Sequence, residues 1–157
     1  MPMKKYISLL CLLFVIALTT TAYDYSGPEA QLVQLINAER DANSIPPLNL
    51  DWELTRLARL KAEEMKTYKL FDHESLIYGS PSQLLDYYLI PYAKAGANIA
   101  MGQETPSDVL LAWCQSASHR ANLVDECYTS VGVGFCWDDE GIPYWTLILV
   151  AKDQESQ

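Results

Sequence analysis

This 157-residue sequence has few of the residues from which many active sites and nucleic-acid interfaces are built. It contains two histidines, and it has no HExxH zinc motif, no Gly-x-Ser-x-Gly nucleophile elbow and no phosphate-binding glycine loop. Because 20 acidic residues outnumber 11 basic ones, the net charge is −9. An acidic surface repels phosphate backbones, so we expect no nucleic-acid partner. Seven glycines and eight prolines exclude collagen-like and low-complexity character.

Long apolar runs are also missing, with one exception near the N-terminus. Lys4 and Lys5 precede an apolar stretch over residues 7–18, and small residues lead to Ala22. This order predicts a secretory signal peptide over 1–22. The run is shorter than the roughly 20 residues of a comfortable membrane span, and an uncleaved N-terminal anchor is the alternative. We expect a secreted, extracellular protein with no stable membrane span once the signal is removed.

The remaining chain has enough apolar residues to bury one core, since half of the sequence is hydrophobic and 20% is charged. We expect a single domain over 23–151 and a frayed polar tail over 152–157. The first part of this domain has apolar residues at helical spacing and residues that commonly start helices. These patterns predict a helix whose capping box is Ser26–Glu29, a longer helix after Asp51, a short helix over 82–90, a helix from Thr105 and a turn over 118–123.

The longer helix has an apolar stripe, and its charged residues Lys61, Glu63, Glu64 and Lys66 are expected to face water. After residue 130, the spacing of apolar residues changes to every second residue, which is typical of a β-strand. Alternation over 131–136, a turn at 138–141 and a strand-rich run over 143–150 predict a hairpin, and 97–101 is a further expected strand. Helices arranged around a hairpin-based sheet predict an α+β layered domain.

The two histidines, His73 and His119, are the candidate functional residues. A lone histidine is more often a hydrogen-bonded structural residue than a ligand or catalyst. Ser116 and Ser118 lie beside His119, but a nucleophile and its base usually meet through the fold, so this adjacency indicates little.

Several short segments are more informative together than any one of them alone. They are LINAER at 35–40, PLNLDWEL at 47–54, FDH at 71–73, GANIA at 96–100, Trp113 with SASHRANL at 116–123, VGVG at 131–134 and PYWT at 143–146. In this order and spacing they resemble the secreted SCP-like domain of the CAP superfamily, the cysteine-rich secretory and pathogenesis-related proteins, in its compact bacterial form.

The resemblance implies a three-layer α-β-α sandwich whose small, mostly antiparallel sheet ends in a C-terminal hairpin. It also implies a cleft that two histidines and acidic residues line, in which some members bind zinc. His73 and His119 match those histidines, and Asn98 and Ser116 lie in matched segments, so we expect these four residues at the cleft.

The zinc site implied by the resemblance is incomplete here. Ala97 stands where the family has a glutamate, and Leu147 stands where many relatives have glutamine. Zinc sites use at least three protein ligands, so we expect no cofactor, or zinc held weakly by the two histidines. Asp72, Glu74 or Glu104 are possible substitutes for the missing carboxylate. The alternative is that the histidines hydrogen-bond across the cleft and hold it shut.

Three cysteines lie outside the signal: Cys114, Cys127 and Cys136. An extended strand between the last two would hold them too far apart to pair. We therefore expect that any disulfide joins Cys114 to Cys127, and the alternative is three buried thiols.

Three classes of function remain open. The first is a non-catalytic extracellular module that binds a small ligand, a lipid or a protein. The second is a metal-assisted hydrolase that uses His73 and His119. The third is a structural envelope component, which a repeat or wall-binding segment would favour, and neither is present in the sequence.

Overall fold

The computed structural model describes residues 27–152, so the predicted signal peptide and the tail beyond Lys152 lie outside the described residues. The elements follow the predicted order. They are α1 (Pro28–Ala42), β1 (Asn49–Leu50), α2 (Trp52–Tyr68), α3 (Pro81–Tyr87), β2 (Lys94–Met101), α4 (Pro106–Gln115), α5 (Ala117–Leu123), β3 (Ser130–Trp137) and β4 (Pro143–Ala151). No helix of the described range is long and apolar enough to cross a membrane.

Capping side chains fix most helix starts, because they satisfy backbone N–H groups that have no partner within the helix. The Asp51 carboxylate accepts the N–H groups of Glu53 and Leu54 at the start of α2, and the Thr105 hydroxyl accepts that of Asp108 in α4. The capping box predicted for α1 is wrong. Its N-cap is Gly27, which has no side chain to offer, although Pro28 occupies the first turn as expected.

The strands form one sheet in the order β1-β3-β4-β2. β1 is parallel to β3, whereas β3–β4 and β2–β4 are antiparallel, so the predicted hairpin and the mostly antiparallel sheet are confirmed. The edge strand β2 is covered rather than bare. Trp113 Nε1 donates to Ile99 O at 2.9 Å, and Asn122 Nδ2 donates to Ala97 O at 3.2 Å.

Side chains of β4 alternate between two hydrophobic clusters, and all nine residues of this strand are buried. Trp145, Leu147 and Leu149 pack against α1, α4 and α5. Ile148 and Val150 pack against α2 and α3 on the other face. The fold is therefore the expected α-β-α sandwich, and Leu147 serves the core.

Two glycines let α2 lie directly on β3. A Cβ at Gly132 would be 2.1 Å from the Leu54 carbonyl carbon, and one at Gly134 would be 2.2 Å from that of Ala58. Two residues of a strand and about one turn of a helix both advance roughly 6 Å. The contact of Gly134 with Ala58 therefore repeats that of Gly132 with Leu54 one helical turn further along.

Arg40 joins α1 to the segment between α5 and β3. Its guanidinium is fully buried and donates to the carbonyl oxygens of Pro46, Leu123, Asp125 and Tyr128 at 2.8–3.1 Å. Burial lowers its pKa, and the nearby Asp125 carboxylate opposes that shift.

The three described cysteines are free thiols, so the Cys114–Cys127 disulfide is not formed in this structure. Cys114 packs against the hydrophobic cluster of α1, α4 and α5, while Cys127 is exposed in the turn before β3. That strand begins at Ser130 and includes Cys136, so the extended stretch expected between Cys127 and Cys136 starts three residues after Cys127. Burial raises the pKa of Cys136 to about 11, which keeps it a thiol at neutral pH.

Candidate functional site

The structure brings His73 and His119 together across 46 residues of sequence, as expected. Their ring centroids lie 5.5 Å apart at an interplanar angle of 43°, and their Nε2 atoms are 3.4 Å apart. A hydrogen bond at this distance needs one ring to donate and the other to accept, which two charged imidazoliums cannot do. Burial, followed by the repulsion from His73, lowers the pKa of His119.

Two asparagines hold the backbone that carries His119. Asn98, fully buried on β2, donates through Nδ2 to His119 O at 3.0 Å. Its Oδ1 accepts from Asn122 Nδ2 at 2.9 Å. Asn98 therefore acts on His119 through the backbone of α5, and it is a positioning residue for the histidine pair.

Lys61 and Glu64 hold the loop that carries His73, and the expectation that both face water is wrong. Lys61 is 5% exposed and Glu64 8%. Lys61 Nζ donates to Glu74 O at 2.7 Å, and Glu64 Oε1 accepts from the backbone N–H of Leu76. Burial lowers the pKa of Lys61, while Glu64 and Asp72 oppose that shift.

The position of Lys61 in α2 indicates that it is buried, although its charge suggests that it faces water. Lys61 lies four residues after Leu57 and seven after Leu54, so helical periodicity places it on the buried stripe of α2. A lysine is rarely buried unless its ammonium finds a partner. That partner comes from a loop outside the helix, so the pattern within α2 does not reveal it.

We call the space beneath His73, between α2, α3 and the sheet, the His73 cleft. Its enclosed floor has room for about one water molecule, and the space of about 290 Å³ counted around it includes open solvent. Its polar lining includes Lys61, His73 and Thr146, and its apolar lining includes Leu84, Ala97, Ile99 and Ile148. Ala97 thus occupies the cleft wall, where a carboxylate would face these polar groups.

The donor set does not fit a complete zinc site. Two ligands about 2.05 Å from a tetrahedral zinc lie roughly 3.3 Å apart, which the Nε2 spacing matches. However, residues 27–152 contain no group of three histidine, cysteine or acidic side chains placed to hold one ion. The suggested substitutes do not complete the set. Asp72 accepts the backbone N–H of Glu74, and Glu104 is exposed before α4.

Ser116 stands at the junction of α4 and α5, half-buried, with its hydroxyl 3.3 Å from that of Ser118. Within the described part of the chain, neither serine hydrogen-bonds a histidine ring. His73 and His119 therefore contact each other rather than a hydroxyl or thiol nucleophile.

Comparisons with known proteins identify similar sequences and folds. The sequence model of the cysteine-rich secretory protein family, CAP, matches residues 33–149. The uncharacterized protein YkwD of Bacillus subtilis (strain 168) is 39% identical over 134 residues, which cover 85% of this chain and 51% of YkwD. The chain therefore spans about half the length of that curated relative.

Two solved structures are similar as well. An extracellular protein containing a SCP domain from Bacillus anthracis str. Ames has a TM-score of 0.73 at 28% identity, covering 80% of this chain and 41% of that one. An outer surface protein from Borrelia burgdorferi has a TM-score of 0.73 at 20% identity, covering 78% of this chain and 91% of that one. The second likeness concerns the fold alone.

Proposed function

The chain belongs to the cysteine-rich secretory protein family, and from this we propose that it acts outside the cytoplasm as a non-catalytic binding protein. Its ligand is a small molecule, a lipid or part of an extracellular protein, taken up at the His73 cleft beside His119. The location is supported by the predicted signal peptide and by the similar protein with a SCP domain that is described as extracellular.

One observation carries the proposal: the two histidines contact each other and, among residues 27–152, lack the further groups that hydrolysis needs. A metal-assisted hydrolase requires an ion with an open coordination position, normally held by three protein ligands. The described residues supply two, and Ala97 stands at the matched glutamate position. A covalent mechanism would need a nucleophile bonded to a base, and Ser116 and Ser118 bond each other instead.

A metal-assisted hydrolase using His73 and His119 is the second candidate. The 3.4 Å separation of the Nε2 atoms favours it, because it suits two ligands of one ion. An acidic side chain or a substrate carboxylate would have to complete the set.

Zinc affinity separates the two candidates. We expect the wild type to bind zinc poorly and Ala97→Glu to bind it about 30-fold more tightly, a gain of about 2 kcal/mol, because a carboxylate adds both charge and an oxygen ligand. Ala97→Gln is the matched control, since it adds similar bulk without charge. His119→Ala in the Ala97→Glu background should abolish the gain, because the ligands act as one unit. Calorimetric titration of the four proteins measures these differences.

Tight zinc binding by the wild type, together with hydrolysis that His119→Ala removes, would overturn the proposal and favour the hydrolase. An unchanged affinity in Ala97→Glu would show that residue 97 does not face the histidine pair closely enough to share an ion with it.

A further inference from the structure

Thr146, on the floor of the His73 cleft, has a hydroxyl without a partner. The residue is 1% exposed, and its Oγ1 makes no hydrogen bond within the described residues. Its cross-strand neighbours are Gly134 on β3 and Ile99 on β2, and neither has a polar side chain. A buried hydroxyl without a partner costs free energy, so this atom is a candidate ligand contact.

Lys61 provides a second donor in the same cleft. An ammonium group has three hydrogens to donate, and within the described residues the hydrogen bond of Lys61 goes to Glu74 O. The nearby carboxylate oxygen Glu64 Oε2 is 3.9 Å from Nζ, too far for a hydrogen bond but close enough to balance the charge. The cleft therefore offers hydrogen-bond donors whose positive charge is already compensated.

This combination selects the chemistry of the ligand. The Lys61 ammonium can only donate and the Thr146 hydroxyl can donate or accept, so an acceptor oxygen can bond to both. A carboxylate would add a second negative charge beside Glu64 and one lysine, in a protein whose net charge is −9, so a neutral carbonyl is preferred. The enclosed floor holds one water-sized group, so the carbonyl oxygen would enter it, and the apolar side chains of Leu84, Ala97, Ile99 and Ile148 line the space beside it for the attached alkyl group.

We propose that Lys61 and Thr146 form a subsite for a neutral carbonyl group, such as that of a peptide or other amide, at the floor of the His73 cleft. The inference rests on the proposed function, that this cleft binds a ligand, and it names the chemical class of that ligand. His73 lines the same cleft and contacts His119, so this pair would contact other parts of the bound molecule.

The chain offers a matched pair of variants for the test. Thr55 on α2 is also fully buried with a hydroxyl that lacks a described partner, but it does not line the cleft. Thr146→Val and Thr55→Val each replace a buried hydroxyl with a methyl group of similar shape. Both variants should fold, because neither leaves a new unpaired polar group.

The probes are N-methylacetamide, a neutral amide, and acetate, a carboxylate of similar size. Each is titrated at pH 7 into isotopically labelled protein while methyl and amide NMR signals of the cleft are followed. We expect saturable shifts with N-methylacetamide at millimolar concentration, as befits so small a fragment. Thr146→Val should weaken this binding at least tenfold, whereas Thr55→Val should leave it unchanged.

Equal binding by Thr146→Val and wild type would overturn the subsite, as would the lack of saturable shifts at the cleft floor. Tighter binding of acetate would overturn the choice of a neutral carbonyl. Zinc titration and hydrolysis assays test the proposed non-catalytic function independently of the subsite. Shifts confined to the His73 and His119 rings would leave the binding function standing and remove only the Lys61–Thr146 subsite.

Discussion

Single residues at the cleft act mainly through the segments that they hold in place. Asn98 fixes the backbone of His119, and Lys61 fixes that of the loop after His73. The 3.4 Å contact between the two rings therefore depends on side chains from β2 and α2 that the pattern of histidines does not reveal.

The histidine pair should make stability depend on pH. Burial and the proximity of His73 lower the pKa of His119 in the folded protein, so the unfolded chain binds that proton more readily. The stabilisation is thus complete above pH about 6.5 and is lost as the pH falls below that value. In denaturant unfolding between pH 7.5 and 5.5, the wild type should lose stability more steeply than His119→Gln, by at most about 1.4 kcal/mol per pH unit.

His73→Gln should flatten the profile only in part, because it removes the repulsion and leaves the burial of His119 in place. Parallel pH profiles for the wild type and His119→Gln would contradict the prediction.

At the scale of elements, the contact between α2 and β3 is close enough for a single methyl group to test it. The Cβ of an alanine at Gly132 would overlap the backbone of α2 at Leu54 and Thr55, which no side-chain rotation can relieve. We expect Gly132→Ala to lower the free energy of unfolding by about 3 kcal/mol or more. Thermal or denaturant unfolding measures the loss.

Gly102→Ala is the control for adding a methyl group to a glycine. Nothing lies within 4 Å of the added Cβ there, and the positive φ of 94° alone should cost about 1–2 kcal/mol. If Gly132→Ala were no more destabilising than Gly102→Ala, α2 would not rest on β3 as closely as described.

For the whole molecule, the prediction concerns where the protein is located. The basic, apolar and small-residue order over 1–22 predicts cleavage after Ala22 and export. Intact-mass spectrometry of protein from the culture medium should give a chain that begins at Tyr23. Intact Met1 on most of the protein in the membrane fraction would instead favour the uncleaved anchor.

Much of the fold was predictable because its signals are local in sequence. Asp51 and Thr105 cap helices with their own side chains, and alternation before and after the turn at 138–141 specifies the β3–β4 hairpin. The exception at the start of α1 is also local, since Gly27 rather than Ser26 occupies the N-cap position. The family followed from the order of its short segments, which no single motif establishes.

The sequence by itself determined the order of the elements and the layered α+β architecture, and its resemblance to the family implied that His73 and His119 converge. Only the tertiary structure decided that Lys61 donates to Glu74 O, that Arg40 donates to four carbonyl groups, and that the Thr146 hydroxyl lies without a described partner beneath His73. The physical reason is distance along the chain. A cap or an alternating strand is specified by residues a few positions apart, whereas the environment of a buried polar group is set by segments up to 88 residues away, as in the bond from Arg40 to Tyr128.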